Sequence, residues 1–288
     1  MPLTNRASSR HVALETTLLI HGVPRGQGER LSRELAEIIT RAGALPAFVG
    51  LHHGQPTVGL DLNELTELFA AEHVEKANTA NLGILLHRRA HGATTVSATM
   101  ELAAAVGVRY FATGGIGGIH RDYATRLDIS ADLAAFTRFP IAVVTSGVKS
   151  LLDVAATREA LETLGIPLVG FQTDSFPAFY LRESESRVDA RFDDIPDLAA
   201  FIAAELPRTS RGIVIANPIP TADAIRPEDW SRWLAEAQRL ASPSRGREAT
   251  PAILKHLHEV SSGATLRANL ALVRANAELA ASLCAAMP

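Results

Sequence analysis

Along the chain, short unbroken apolar runs alternate with runs of helical period. The stretch Val12–Ile20 is apolar apart from Glu15 and two threonines, and reads as a strand. From Gly28 to Ala42, Leu31, Leu35, Ile38 and Ile39 share one helical face. A short apolar segment follows at Ala47–Leu51, then a helix over Asp61–Ala71 with Asp61 or Asn63 as its cap. Val96–Val106 reads as a small-residue helix, Val108–Ala112 and Ile141–Thr145 as buried strands, and Thr157–Leu164 as a helix. Pro167–Gly170 and Gly212–Ala216 read as further strands, and the longer helices Pro227–Leu240 and Leu266–Ala286 come towards the end, with a weak boundary near Ser242–Ser244. Strands alternating with helices of about ten to fifteen residues predict a mainly parallel sheet covered by helices. One α/β domain over residues 1–288 is expected. Ligands in such folds sit beyond the carboxyl ends of strands. The loops after Thr17–Ile20, Ala112, Val144 and Ala216 are therefore the places to look for chemistry.

Composition narrows this picture. The chain is 47% hydrophobic, with a formal net charge of −3, so neither a nucleic-acid footprint nor an anionic membrane partner is indicated. No run approaches the ~18 apolar residues of a membrane span. The beginning of the sequence lacks a signal-peptide core. A single cysteine, Cys284, excludes a disulfide framework and points to a reducing, cytoplasmic setting. Of 28 basic residues only Lys76, Lys149 and Lys255 are lysines. In so arginine-rich a chain, a retained lysine either marks a place where a group that can lose its proton is useful or is kept by chance.

Several motifs carry candidate chemistry. FATGGIGGIH, residues 111–120, follows a buried strand, and its glycines let backbone N–H groups approach an anion; alternatively it is a tight turn. It is not a dinucleotide fingerprint, because His120 stands where the third glycine would be, and a nicotinamide-dependent dehydrogenase is thereby set aside. Thr94 and Thr95 precede a helix, as plain caps or as part of a phosphate site. Asp128 and Asp132 lie four apart and would share a face if helical, with Ser130 as an N-cap. One carboxylate there suits a hard divalent cation completed by waters and substrate oxygens. Lys149 follows a buried strand, where desolvation favours a neutral, nucleophilic amine; a plain lysine at a helix start is the bland alternative. Glu15 interrupts an apolar run, and its burial would suit a general acid or a satisfied buried carboxylate. His21 is a site or loop residue, while His52 and His53 read as loop residues without a third donor at recognisable spacing.

Taken together, the blocks ALETTLLIHGVP, GATTVSATM, FATGGIGGIHR, DISADL, SGVKSLLD, GFQTDSFPAFY, ANPIP and TLRANLALVRANA resemble the pseudouridine-5′-phosphate glycosidases, or indigoidine synthase A-like family, over nearly the whole chain. The resemblance implies a three-layer α/β/α enzyme with a mainly parallel central sheet, a homotrimer, and a divalent metal, usually Mn2+. It implies reversible cleavage of pseudouridine 5′-phosphate to uracil and ribose 5-phosphate. By that resemblance Lys149 forms an imine with C1′ of the opened sugar, and Glu15 is the proton donor. Lys76, Val96 (after Thr94 and Thr95), Ser130, Ala131 and Asp132 contact substrate, and Asp128 is the metal ligand. Thr113 and His120 help hold the phosphate, and Asn269 faces the base. Lys255 is left as an ordinary helix-surface residue. A C-glycoside has no heteroatom leaving group, so an electron-accepting imine and an acid for the departing carbon make chemical sense together.

Two departures stand out. KANTANLG after Lys76 lacks the arginines usual in the family, and GLHHGQPTVGL carries two atypical histidines. They leave room for a C-glycosynthase joining ribose 5-phosphate to another aromatic acceptor. A non-catalytic sugar-phosphate-binding protein is disfavoured because both Glu15 and Lys149 are present.

Overall fold

The computed structural model describes residues 2–241 and 249–287. The chain begins with β1 (Thr4–Asn5) and β2 (His11–Glu15). β2 is shorter than the apolar run suggests, because Thr16–His21 coil into a helix, α1. A short apolar run suits a buried strand or a buried helix equally, and long-range bonds decide the matter. Thr16 Oγ1 donates to the Val49 carbonyl at 2.8 Å and accepts from Thr94 N–H at 3.0 Å. Glu15 therefore stands at the seam between strand and helix, with φ −73° and ψ 144°, rather than inside a strand.

Then come α2 (Gly28–Arg41), β3 (Leu45–His52), β4 (Gln55–Val58) and α3 (Leu62–Ala70). Asp61 is the cap of α3: it accepts from Asn63 and Glu64 N–H, and the Glu64 carboxylate accepts from Asp61 N–H at 2.9 Å, a capping box. β5 (Glu75–Ala77), α4 (Leu82–Arg88), β6 (Gly92–Thr94), α5 (Val96–Ala105) and β7 (Tyr110–Ala112) follow. Next are β8 (Ile119–His120), α6 (Tyr123–Arg126), α7 (Ala131–Phe136), β9 (Ala142–Thr145), β10 (Leu152–Asp153) and α8 (Val154–Thr163). β11 (Leu168–Phe171), β12 (Ala190–Phe192), α9 (Ile195–Thr209) and β13 (Ile213–Ala216) complete the sheet. After a 3-10 turn (Thr221–Asp223), the chain ends with α10 (Pro227–Ala241), α11 (Ala249–Val260) and α12 (Ala264–Ala285). The apolar pattern does not announce α9, because its prolines read as breaks. One of them lies in the first turn, where a missing N–H costs nothing, and Asp194 caps the helix through Asp197 N–H at 3.1 Å. Ser242–Ser244 and the side chain of Lys255 lie outside the described residues.

The strands order as β1-β4-β3-β2-β7-β9-β13-β11-β12, with β6 bridging β3 and β5. From β3 through β2, β7, β9, β13 and β11 to β12 all pairings are parallel. Successive residues of β2 face opposite ways. Val12 and Leu14 join a core with α2, α9, α10 and α12, while Ala13 joins one with α4, α5, α7 and α8. Helices thus cover both faces, the expected three layers. The chain leaves β2 towards β3 on one side and later returns to pair β7 on the other. Such a reversal is where open α/β sheets take their ligands, in the crevice beyond the carboxyl ends of β2 and β7. No helix among the described residues is long and apolar enough to cross a membrane.

Candidate active site

The crevice is where the chemistry gathers. Glu15 closes β2 and Thr113 directly follows β7. Both are buried, and Thr113 Oγ1 donates to Glu15 Oε1 at 2.5 Å. Burial raises the Glu15 carboxyl above its ordinary value of 4.5; the Lys149 charge is the strongest opposing influence, ahead of the Thr113 hydrogen bond. Glu15 is thereby biased to hold its proton, as a general acid must. Thr113, expected at the phosphate, has its hydroxyl committed to this carboxyl.

Behind Thr113 stands Asn276, fully buried on α12 and absent from the sequence-derived set. Its Nδ2 donates to the Thr113 carbonyl at 2.8 Å and its Oδ1 accepts from Asn217 Nδ2 at 2.9 Å. It also meets the Ser146 hydroxyl. One amide thus ties together the loops after β7, β9 and β13. The signal in the sequence was an asparagine amid the apolar positions of a long helix, a residue that burial obliges to find partners.

Lys149 follows β9 after a tight turn. Gly147 has φ +85°, and a Cβ there would collide with the Pro177 carbonyl, so only glycine serves. Ile116 N–H donates to Gly147 O at 3.0 Å and Lys149 N–H to Ile116 O at 3.1 Å, zipping the lysine loop to the glycine loop. The Lys149 side chain is exposed. It does not start a helix, since β10 intervenes before α8. Lys76 lies on β5, also reaching solvent. Burial first and the Lys149 charge second hold its amine below the usual lysine value, against the pull of Glu15. His21, at the end of α1, lies close enough to Lys76 for that charge, after burial, to lower its own affinity for protons.

Asp128 and Asp132 do not share a helical face, because α7 starts only at Ala131. Ser130 is the cap, its hydroxyl accepting from Asp132 N–H at 3.2 Å, and Ala131 is half-buried. Asp132 is buried and turned inward: Oδ1 accepts from Ser97 N–H at 3.0 Å and Oδ2 from Gly117 N–H at 2.8 Å. It joins the first turn of α5 to the glycine loop, and so occupies N–H groups that an anion could otherwise take. Asp128 is the opposite case, with its side chain 61% exposed and one oxygen 3.7 Å from His120 Nε2. An open carboxylate suits a hard divalent cation held by one protein oxygen plus waters and substrate.

Thr94 ends β6, and its hydroxyl donates to the Val49 carbonyl at 2.6 Å. Thr95 occupies the N-cap of α5 without a side-chain cap bond, its hydroxyl lying 3.2 Å from Ser97 Oγ. The Val96 side chain is wholly buried in the core, which leaves its main chain to meet a ligand. Asn269 is nine-tenths buried; its Nδ2 donates to the Gly22 carbonyl at 3.4 Å, while its Oδ1 has no partner. That orphaned acceptor sits beside Gly114 in the glycine loop, where a ligand's donor would satisfy it.

Comparison with known proteins places the chain among its relatives. A family model for the indigoidine synthase A like proteins matches residues 5–286. A pseudouridine-5′-phosphate glycosidase of Salinispora tropica is 44% identical over 96% of this chain and 86% of its own length. One from Symbiobacterium thermophilum is 41% identical over 96% of this chain and 92% of its own. Among solved structures, an indigoidine synthase A-like protein of Thermotoga maritima superposes with a TM-score of 0.89 at 35% identity, covering 98% of this chain and 95% of its own. The prealnumycin C-glycosynthase AlnA, in complex with ribulose 5-phosphate, gives 0.88 at 32% identity over 96% and 91% of the two chains. By its sequence and its fold, this chain belongs to the indigoidine synthase A-like family.

Proposed function

We propose that the chain is a pseudouridine-5′-phosphate glycosidase, reversibly cleaving its substrate to uracil and ribose 5-phosphate. The observation that carries this reading is the pairing of a buried, proton-holding Glu15 with an open Lys149 whose charge acts on it. The C1′–O4′ bond opens and the Lys149 amine takes the place of O4′ on C1′, its released proton passing to that oxygen. The carbon–carbon bond then breaks with its electron pair on the uracil carbon, which takes the Glu15 proton, while the lysine nitrogen forms the imine to C1′; water hydrolyses the imine, releasing ribose 5-phosphate and restoring the amine. Lys76 and the main chain of Val96, with Ser130 and His120, hold the sugar phosphate; Asn269 meets the base. Asp132 acts by fixing the glycine loop against α5. A divalent metal, Mn2+ by family resemblance, would bind the open Asp128 carboxylate and neutralise substrate charge when present.

A homotrimer in the cytoplasm completes the reading. Tyr123, Leu127 and Ile129 flank Asp128 as exposed apolar side chains, a surface that a neighbouring subunit would cover. The higher identity to glycosidases than to AlnA favours uracil over another aromatic acceptor.

Incubation with ribose 5-phosphate, Mn2+ and borohydride, followed by peptide mass spectrometry, tests the imine. An adduct on Lys149 is expected, and a folded protein without one would sink the mechanism. Uracil consumption in the synthetic direction separates the glycosidase from a glycosynthase with another acceptor. Exhaustive chelation should remove activity and Mn2+ restore it; full activity after chelation would count against Asp128 as a metal ligand.

A further inference from the structure

The tip of the β3–β4 hairpin brings together a set of donors that the proposed reaction does not use. His52 ends β3, and His53 and Gly54 form the two-residue turn with φ +50° and +72°. In an extended strand, consecutive side chains point to opposite faces. The left-handed turn breaks that alternation and lets both rings reach one helix, α3. There His52 Nε2 lies 2.7 Å, and His53 Nε2 3.5 Å, from the same Glu67 Oε2. All three donor atoms lie within 4.8 Å of one another. Donors of a tetrahedral zinc site, each about 2.0–2.1 Å from the metal, stand about 3.3 Å apart, so side-chain adjustment closes the shell. Glu67 is the third donor that spacing along the sequence did not reveal, fifteen positions from His52.

The surroundings suit a cation. The Glu67 side chain is 57% exposed and offers a carboxylate oxygen to both rings. His91 packs its ring 4.3 Å from His53 and 5.4 Å from His52. Its Nδ1 accepts from His53 N–H at 3.3 Å, which puts the proton of a neutral ring on Nε2 and makes His91 a wall rather than a ligand. Both rings aim Nε2 at one carboxylate oxygen, and a metal taking the place of their Nε2 protons would be held by all three donors.

We propose that His52, His53 and Glu67 bind a zinc-class divalent cation with a fourth position open to water, pinning the β3–β4 hairpin to α3. The site is distinct from Asp128 in donor chemistry: two imidazoles and a carboxylate select borderline transition metals, whereas a lone carboxylate with waters suits hard cations.

The test is a Co2+ titration of chelator-stripped full-length protein, read by visible absorption. Wild type and Asp128→Asn should both show the intense bands of four-coordinate cobalt at one equivalent, and Zn2+ should abolish them by displacement and raise Tm. His53→Asn, which the left-handed turn accepts, and Glu67→Gln should weaken binding by more than the ~10–100-fold typical of losing a mere supporting partner. Circular dichroism matching wild type secures the fold of both variants. Absence of four-coordinate bands in wild type, or an unchanged affinity in folded His53→Asn and Glu67→Gln, would overturn the proposal.

Discussion

The two sides of the crevice are built on opposite principles. On the inner side, Glu15, Thr113, Asn276 and Asp132 are all buried, and each is bound to main chain or to another side chain of the group. On the outer side, Lys149, Lys76 and Asp128 reach solvent, with few fixed partners among the described contacts. In the proposed mechanism the contrast follows from what each group would do. An acid is tuned by removing water, because a buried carboxyl keeps its proton. A nucleophile and a metal ligand must instead meet a substrate that arrives from water. The inner side holds its shape through hydrogen bonds that are costly to leave unmade; the outer side is free to rearrange around a ligand.

The comparison can be broken most sharply at Lys149. Lys149→Ala should lower kcat on the order of 10⁴-fold or more, the scale of removing a covalent nucleophile. Its folding temperature should stay unchanged, because the side chain is exposed. A near-normal rate would refute the imine.

Next in size is Glu15→Gln, for which steady-state kinetics should show a loss of about 10²–10⁴-fold and thermal melts a stability effect of opposite sign. Burial raises the Glu15 carboxyl above 4.5, so its favourable contribution is complete below that value and disappears as pH rises through the raised one. Glutamine has no proton to lose. The variant should therefore match wild type most closely in acid and become the more stable protein at alkaline pH. Equal pH dependence of the two melting curves would show that Glu15 is not held protonated.

The smallest effect sharpens the contrast from within. Thr113→Val removes a hydrogen bond that favours the ionised carboxyl. The Glu15 value should then rise further, moving the alkaline limb of the kcat/KM profile to higher pH, and Thr113→Ser should restore the wild-type profile. A uniform fall in rate without that displacement would mean that Thr113 acts only as packing.

Much of this molecule is legible along the chain because its signals are local. The apolar runs at β7, β9 and β13, the single-faced period of α2 and the capping box of α3 each depend on neighbours within a few residues. Glu15 and Lys149 were legible because each interrupts its surroundings by type: an acid in an apolar run, and a lysine in an arginine-rich chain. What escaped depends on contacts across long separations. The turn into α1 after Glu15 is set by Val49 and Thr94. Asp132, which the resemblance puts against substrate, has both its oxygens held by Ser97 and Gly117, residues distant in the chain. His52 and His53 looked donor-poor because their third partner comes from another element.

The sequence by itself determined the class of fold, singled out Glu15 and Lys149 as candidates, and placed the loops that carry them. These follow from side-chain chemistry and from the two periods of secondary structure, both local properties. Only the tertiary structure decided which groups are buried, and hence which hold their protons, which carboxylate faces solvent and which faces a helix terminus, and which amide knits three loops together. Burial and hydrogen-bond partnership are properties of the packed whole, since the water that sets a carboxyl's proton affinity is excluded by residues remote in the chain.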